Sequence, residues 1–303
     1  MTGTKGTTTG AEAMEATFRA EGGSLYVVAT PIGNLRDVTL RARDILSTAD
    51  IVAAEDTRVT STLFARHGIA TRLRALHRHN EAREVVTLVA ALDEGRSVAL
   101  VTDAGTPGIS DPGARLVRAA RAARHRVVPI PGATALATAI SAAGLVAERF
   151  AFIGFLPTQA KARRELLASV SPWPLALVFY EAPHRIAATL DELARALDGR
   201  RMLTVARELT KTFETIATMP LGDAAAWLAA DANRARGEFV LLVDAPSEAA
   251  GALALDADSE RLLAALLEEL PPARAARVAS VATRVPRGVL YARALELKQG
   301  PGD

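Results

Sequence analysis

From residue 24 onward, short unbroken apolar runs alternate with stretches whose apolar residues recur at helical spacing. Residues 25–30 (LYVVAT), 51–54 (IVAA), 97–102 (SVALVT) and 127–130 are bounded by turn-forming residues, which predicts buried strands. Helical spacing covers 40–49, 84–94 (apolar at 85, 88, 89 and 92), 111–123 and 133–143, with Pro112 near the first turn of the third. Continuous apolar strands separated by helices predict a mostly parallel sheet covered on both faces. After 144–149 the alternation restarts, with strands over 150–155, 175–180, 202–208 and 238–243 and helices over 184–197 and 223–230. The fold class is therefore α/β, as two α/β domains. Residues 246–259 (PSEAAGALALDADS) read as a linker. Beyond it, helical stretches over 260–270, 273–282 and 287–298, separated by Pro271, Pro272 and Pro286, form a small C-terminal helical module. The expected partition is an unstructured Thr/Gly/Ala-rich leader over 1–23, domains over 24–144 and 148–246, and the module over 258–300.

Composition narrows the function. A chain of 303 residues, half of them apolar, suits two domains with proper cores and a small third unit. No window approaches the roughly 18 uncharged apolar residues of a membrane span, and the N-terminus has no signal-like apolar stretch. These absences favour a soluble, cytoplasmic protein with no membrane partner. Cysteine is absent, which removes disulfides, thiolate nucleophiles and Cys-ligated metal. Only His77 and His79 among five histidines are close in sequence, and with no further ligand signature no metal site is expected. Only four of the 36 basic residues are lysine (Lys5, Lys161, Lys211, Lys298). The arginine excess fits GC-rich codon choice, and equally a surface that grips phosphates with bidentate guanidinium groups.

The candidate chemistry sits in loops at the C-terminal ends of expected strands, the edge where open α/β sheets bind ligands. The first is 30–37 (TPIGNLRD), the second 102–113 (TDAGTPGISDPG), the third 129–134 (PIPGAT). Glycines allow close approach to the backbone, prolines stiffen the turn, and the following helix offers free N–H groups. None is a GxGxxG or a GxxxxGK[ST], so an ordinary dinucleotide site or P-loop loses its main support. A fourth cluster, 179–185 (FYEAPHR), has polar groups suited to binding a ligand or moving a proton. A fifth is 206–213 (ARELTKTF).

These segments carry a resemblance. VATPIGNLRDVTLRA, AAEDTRVTSTL, HRHNE, VTDAGTPGISDPG, PGATAL, FIGFLP, FYEAPHR, ARELTKTFE and GEFVLLV occur in the order of the tetrapyrrole-methylase-like superfamily. They resemble its ribosomal branch, the ribosomal RNA small subunit methyltransferase I family, over about residues 25–243. EAPHR together with DAGTPGISDPG makes the match specific. The resemblance implies two α/β domains with an S-adenosylmethionine cleft between them, a homodimer, and 2′-O-methylation of a cytidine ribose in 16S rRNA at the decoding centre of the small ribosomal subunit. The C-terminal stretch resembles the helix-turn-helix-like module of that branch.

Loop position and resemblance together assign cofactor contacts to Pro31, Asp103, Ala104, Gly105, Ile109, Ser110, Thr134 and Ala135. A ribose hydroxyl is a poor nucleophile, so a base is wanted; Glu181 and His184 are the first candidates, Asp56 the next. Arg58, Arg185, Arg207 and Lys211 are candidates for RNA phosphates. Two rival readings remain at this level. A small-molecule methylase on the same fold would have a cleft shaped for a macrocycle and no need of the C-terminal module. A nucleic-acid-binding protein acting through 260–298 would want a dense basic recognition face, which those helices lack.

Overall fold

The computed structural model describes residues 18–146, 149–246, 255, 257–283, 285 and 287–299. Strands β1 (Ser24–Val28), β2 (Ile51–Ala54), β3 (Leu73–Ala75), β4 (Val98–Val101) and β5 (Arg126–Ile130) form one parallel sheet in the order β3-β2-β4-β1-β5. Alternate residues serve opposite faces: Tyr26 and Val28 pack with Ile45, Leu46 and Phe64, while Leu25 packs with Leu88, Leu92 and Leu116. The first set comes from α1 (Leu40–Thr48) and α2 (Thr57–His67), the second from α3 (Glu81–Asp93) and α4 (Ala114–Ala122). Burial on both faces accounts for the unbroken apolar strands.

Strands β6 (Phe150–Phe155), β7 (Ala176–Glu181), β8 (Met202–Arg207), β9 (Thr215–Pro220) and β10 (Phe239–Val243) form a second sheet, in the order β6-β7-β10-β8-β9. Only β6 and β7 are parallel; every other pairing is antiparallel. Helices α6 (Ala160–Val170), α7 (Ile186–Ala196) and α8 (Ala224–Ala229) cover one face through Leu167, Leu190, Leu193 and Leu228. The other face is covered by α5 (Ala135–Ala143), the helix that follows the last strand of the first sheet. Ala139 and Ala143 of α5 are buried with Val178, Ala206, Val240 and Leu242. Three further helices, α9 (Ala257–Glu269), α10 (Pro272–Thr283) and α11 (Arg287–Gln299), bury Leu263, Ala275, Ala276, Ala279, Leu290 and Ala294 against one another.

Several expectations are corrected. Residues 18–23, assigned to an unstructured leader, lie against the first sheet: Phe18 N donates to Asp44, Ala20 N to Thr48 Oγ1 and Gly23 N to the Arg96 carbonyl. Residues 1–17 lie outside the described residues, as does most of the expected linker (247–254 and 256). The helix expected over 111–123 starts at Ala114, because Gly113 sits at φ 121, outside helical space. Asp111 is thereby left in the loop. Strands β3 and β9 and helices α2 and α6 lacked a clear apolar period in the sequence; β9 has only alternate residues half-buried on the sheet edge.

The α5 contact supplies a test. Ala139→Leu adds a side chain where two layers already touch, and overpacking of this kind costs about 1–3 kcal/mol. Denaturant unfolding is expected to show that loss, and an unchanged midpoint would mean that α5 is not tightly seated on the second sheet.

Candidate active site

The three glycine- and proline-rich loops are stitched together before they meet any ligand. Thr30 and Gly105 exchange two backbone hydrogen bonds (2.9 and 3.0 Å), and Thr30 Oγ1 donates to the Thr102 carbonyl at 3.1 Å. Thr106 Oγ1 donates to the Ala133 carbonyl at 3.2 Å, tying the second loop to the third. Gly105 takes φ 82, a conformation that a side chain would resist. The loop ends meet the second sheet in three places. Asn34 N donates to Thr210 Oγ1, and Leu136 N donates to the Tyr180 hydroxyl at 3.0 Å. Gly154, at a bulge in β6, lies so close to Ser110 that an added Cβ would stand 3.4 Å from its Oγ.

Between these ties lies a cavity of about 350 Å³. The first sheet contributes Ile32, Glu55, residues 102–106 and 109–111, Thr134 and Ala135; the second contributes Phe155, residues 180–183, Ala206, Leu209, Lys211 and residues 238–240. Seven of the eight proposed cofactor contacts line it: Asp103, Ala104, Gly105, Ile109, Ser110, Thr134 and Ala135. Pro31 does not; it is buried, and its neighbour Ile32 faces the cavity instead.

The proposed bases fare differently. Glu181 borders the cavity, but its side chain is 0 % exposed, accepts from Ala182 N (2.8 Å) and Thr189 Oγ1 (2.5 Å), and pairs with Arg185 at 3.2 Å. It anchors the start of α7, with Oε1 shared by Ala182 N and Arg185 and Oε2 bound by Thr189, so its charge is spent largely inside the protein. Asp56 caps α2 by accepting from Arg58 N, and its oxygens are held by the Arg58 guanidinium. That contact keeps its carboxyl down at about 2, and it does not line the cavity. His184 is exposed at the start of α7 and also lies off the cavity wall.

The proposed phosphate contacts are mostly committed inside the protein. Arg185 donates to the Leu156 carbonyl besides pairing with Glu181. Arg207 is 8 % exposed and donates to the Arg236 carbonyl. Lys211 lines the cavity but bridges Glu208 and Glu238 at 2.8 and 2.7 Å. Arg58 is paired too, with Nε and Nη2 on Asp56, but with 89 % of its side chain exposed it is the most accessible of the four to a phosphate.

Of the acidic lining, the sequence pointed to Asp103 but not to Glu55 or Asp111 as cavity residues. Glu55, Asp103 and Asp111 share one wall with Thr102 at its centre. The Thr102 hydroxyl donates to Glu55 Oε2 at 2.8 Å and lies within hydrogen-bonding reach of Asp111. Burial first, and then the Glu55 charge, push the Asp111 carboxyl up to about 6. Burial also raises Asp103, although it accepts from Asp56 N. Tyr180, with its hydroxyl raised by burial, stacks edge-on with Phe152 and Phe155, at 4.8 and 5.7 Å between centroids. Asp111 was hidden because Asp-Pro reads as a helix start; the Gly that follows was the available signal that the helix begins later.

A cleft between a parallel and a mixed sheet, roofed by such loops, defines a two-lobed methylase, and residues 24–225 match the family model for Tetrapyrrole (Corrin/Porphyrin) Methylases. Residues 254–298 match the model for the RsmI C-terminal HTH domain. Ribosomal RNA small subunit methyltransferase I of Escherichia coli O157:H7 is 48 % identical over 274 residues, covering 90 % of this chain and 95 % of that protein. The protein of the same name from Pseudomonas aeruginosa is 48 % identical, over 92 % of this chain and 98 % of its own length. The chain belongs to the ribosomal RNA small subunit methyltransferase I family. Among solved structures, a cobalt precorrin-4 methyltransferase is similar with a TM-score of 0.57 at 17 % identity, covering 73 % of this chain and 95 % of that one. A uroporphyrin-III C-methyltransferase from Thermus thermophilus, solved with S-adenosylhomocysteine, is similar with a TM-score of 0.52 at 18 % identity, covering 73 % and 97 %. At such identity these two establish the shared fold alone.

Two measurements test this wall. Glu181→Ala strips a buried anion from Arg185 and Thr189, a class of change that costs about 3–5 kcal/mol. Chemical unfolding is expected to register it, and an unchanged midpoint would mean that the Glu181 contacts do not hold the start of α7. Asp111 has its folded carboxyl raised above the unfolded value near 3.8. Its contribution to stability is therefore fully present below that value and lost as pH rises through about 6. Asp111→Asn is expected to unfold at higher denaturant than wild type at pH 8, and this advantage should disappear by about pH 4. An advantage that did not vary with pH would rule out a raised carboxyl.

Proposed function

We propose that the protein transfers the methyl group of S-adenosylmethionine to the 2′-hydroxyl of a cytidine in 16S rRNA, at the decoding centre of the small ribosomal subunit. The observation that carries this reading is the cavity between the two sheets, lined by seven of the eight loop residues proposed for the cofactor from loop position and resemblance. The lining suits that group. About 350 Å³ lies within the range of small-molecule sites. Ile32, Ala135, Leu209 and Val240 offer an apolar bed for a purine, and the carboxylates of Asp103 and Glu55 suit an ammonium and ribose hydroxyls. The Gly105 turn leaves the backbone open to close approach.

When bound, the cofactor supplies an electrophilic methyl on a cationic sulfur. The rest falls to this chain. Transfer is an in-line displacement, so most of the barrier is lowered by holding the acceptor oxygen on the axis of the breaking bond. The stitched loops at Thr30, Gly105 and Thr106 and the Tyr180 tie at Leu136 make that wall rigid. Pro31 acts behind it, seating Ile32. Glu181 and Arg185 position the 181–183 turn, and Lys211 holds Glu208 and Glu238 at the opposite rim. Arg58 is the candidate phosphate contact at the mouth. In this reading residues 24–144 and 148–246 are the two lobes, 258–300 is an rRNA-facing module, and the protein acts as a cytoplasmic homodimer on ribosomal particles. Among the described residues no helix is long and apolar enough to cross a membrane.

Incubation with labelled S-adenosylmethionine and naked 16S rRNA, small subunits or uroporphyrinogen tests the reading. Label is expected in rRNA, and nucleoside digestion should release it as 2′-O-methylcytidine. Label confined to the tetrapyrrole, or found on a base, would overturn it.

A further inference from the structure

Every carboxylate proposed for proton transfer on sequence grounds is neutralised or turned away, whereas three on the cavity wall are not. Asp56 is closed by Arg58, and Glu181 by Arg185, Thr189 and Ala182. Glu208 and Glu238 are bridged by Lys211. Of the three that remain, Asp103 accepts from Asp56 N and Glu55 accepts from Thr102. Asp111 differs in what stands beside it. Thr102 donates to Glu55 at 2.8 Å, and where it faces Asp111 its hydroxyl favours the ionised carboxylate, the form a base needs. Asp111 thus stands on the cavity wall with the Thr102 hydroxyl and the Glu55 carboxylate behind it.

The loop is also held in a costly shape at this point. Ser110 takes φ 68, left-handed for a residue with a side chain, and its carbonyl accepts from Arg78 Nη2 at 2.9 Å. Such strain persists only where surroundings enforce it, and it concentrates at functional positions. Arg78, from the HRHNE segment, holds it there, and the missing side chain of Gly154 leaves room for Ser110 Oγ.

We propose that Asp111 is the general base of the methyl transfer, seated by Ser110 and Arg78 and backed by Thr102 and Glu55. As the acceptor oxygen bonds to the methyl carbon, the carbon–sulfur pair leaves with sulfur, giving a neutral thioether. The hydroxyl proton passes to Asp111, which later releases it to water. This rests on the ribose-methylation reading above. A carboxyl already lifted to about 6 by burial and Glu55 is well matched to accept a proton at neutral pH while remaining ionised beforehand.

The test combines Asp111→Asn with two neighbours chosen for opposite signs. With rRNA shown to be methylated by wild type, Asp111→Asn is expected to lower kcat by about 100-fold or more, with S-adenosylhomocysteine affinity by calorimetry within about threefold. The acid limb of the kcat profile should move down in pH for Glu55→Gln, which removes a like charge, and up for Arg78→Met, which removes an opposite one. Independently of turnover, carbon-13 NMR should find a carboxyl titrating near pH 6 in free wild type that is missing from Asp111→Asn. Near-normal kcat in Asp111→Asn, a loss matched by weaker cofactor binding, or an acid limb unmoved by both neighbours would overturn the assignment. Failure of wild type to label rRNA would instead overturn the ribose-methylation reading, and the NMR titration would still report on the raised carboxyl.

Discussion

Helix α5 leaves the last strand of the first sheet and lies on the second, where Ala139 and Ala143 pack against Val178, Ala206, Val240 and Leu242. The face they cover would otherwise expose a full apolar layer, since β10 is buried throughout. The hydrophobic gain is roughly proportional to the area removed from water, and one helix therefore obliges two sheets to share a core. Small residues on α5 bring the layers close, and Leu136, at its first turn, reaches the Tyr180 hydroxyl. The cavity is what remains beyond the helix N-terminus once the sheets are fixed in this way. Its dimensions follow from a packing contact that itself touches no ligand.

Upon that frame the loops add rigidity from polar contacts. Thr30 and Thr106 each satisfy a backbone group in a neighbouring loop, and Thr210 accepts from Asn34 N, so the wall is cross-linked without secondary structure. Buried polar groups need partners, and here each partner lies on a different strand end. Gly33 shows how close the sheets come: an added Cβ would stand 2.8 Å from Thr210 Oγ1 and 3.1 Å from the Leu209 carbonyl. Glycine is needed there for space and not for its φ.

Much of this was legible in the chain. Buried strands such as 51–54 and 239–243 announce themselves by unbroken apolar residues, and the loops by glycine and proline. The bridging role of α5 was not legible, because a helix apolar on most of its surface does not say which sheet it faces. Nor was the antiparallel character of β8, β9 and β10, since apolar runs look alike in either direction and β9 shows only weak alternation. Among site residues, the backbone-defined ones (Asp103 to Gly105, Ile109, Ser110, Thr134, Ala135) could be placed because loop position settles them. Side-chain roles could not. Glu181, Arg185, Arg207 and Lys211 have the right charge in the right loop, yet each is spent on a partner distant in sequence or set by helix geometry. A sequence displays functional groups without the partners that neutralise them.

The acidic wall carries the opposite lesson. Glu55, Asp103 and Asp111 gather where burial and like charge raise the cost of ionising Asp103 and Asp111, an arrangement that favours instability at neutral pH. Ser110 beside them adds backbone strain. A protein selected only to fold would relieve both, with an amide at 111 and a glycine at 110. The two penalties fall on adjacent residues, both facing the same cavity, and Arg78 and the Gly154 bulge exist at the cost of holding them in place. Local disagreement between sequence and stability, supported from two sheets at once, is what a site for a cationic ligand requires: negative charge kept close to the cavity and not joined in an ion pair with the protein's own arginines.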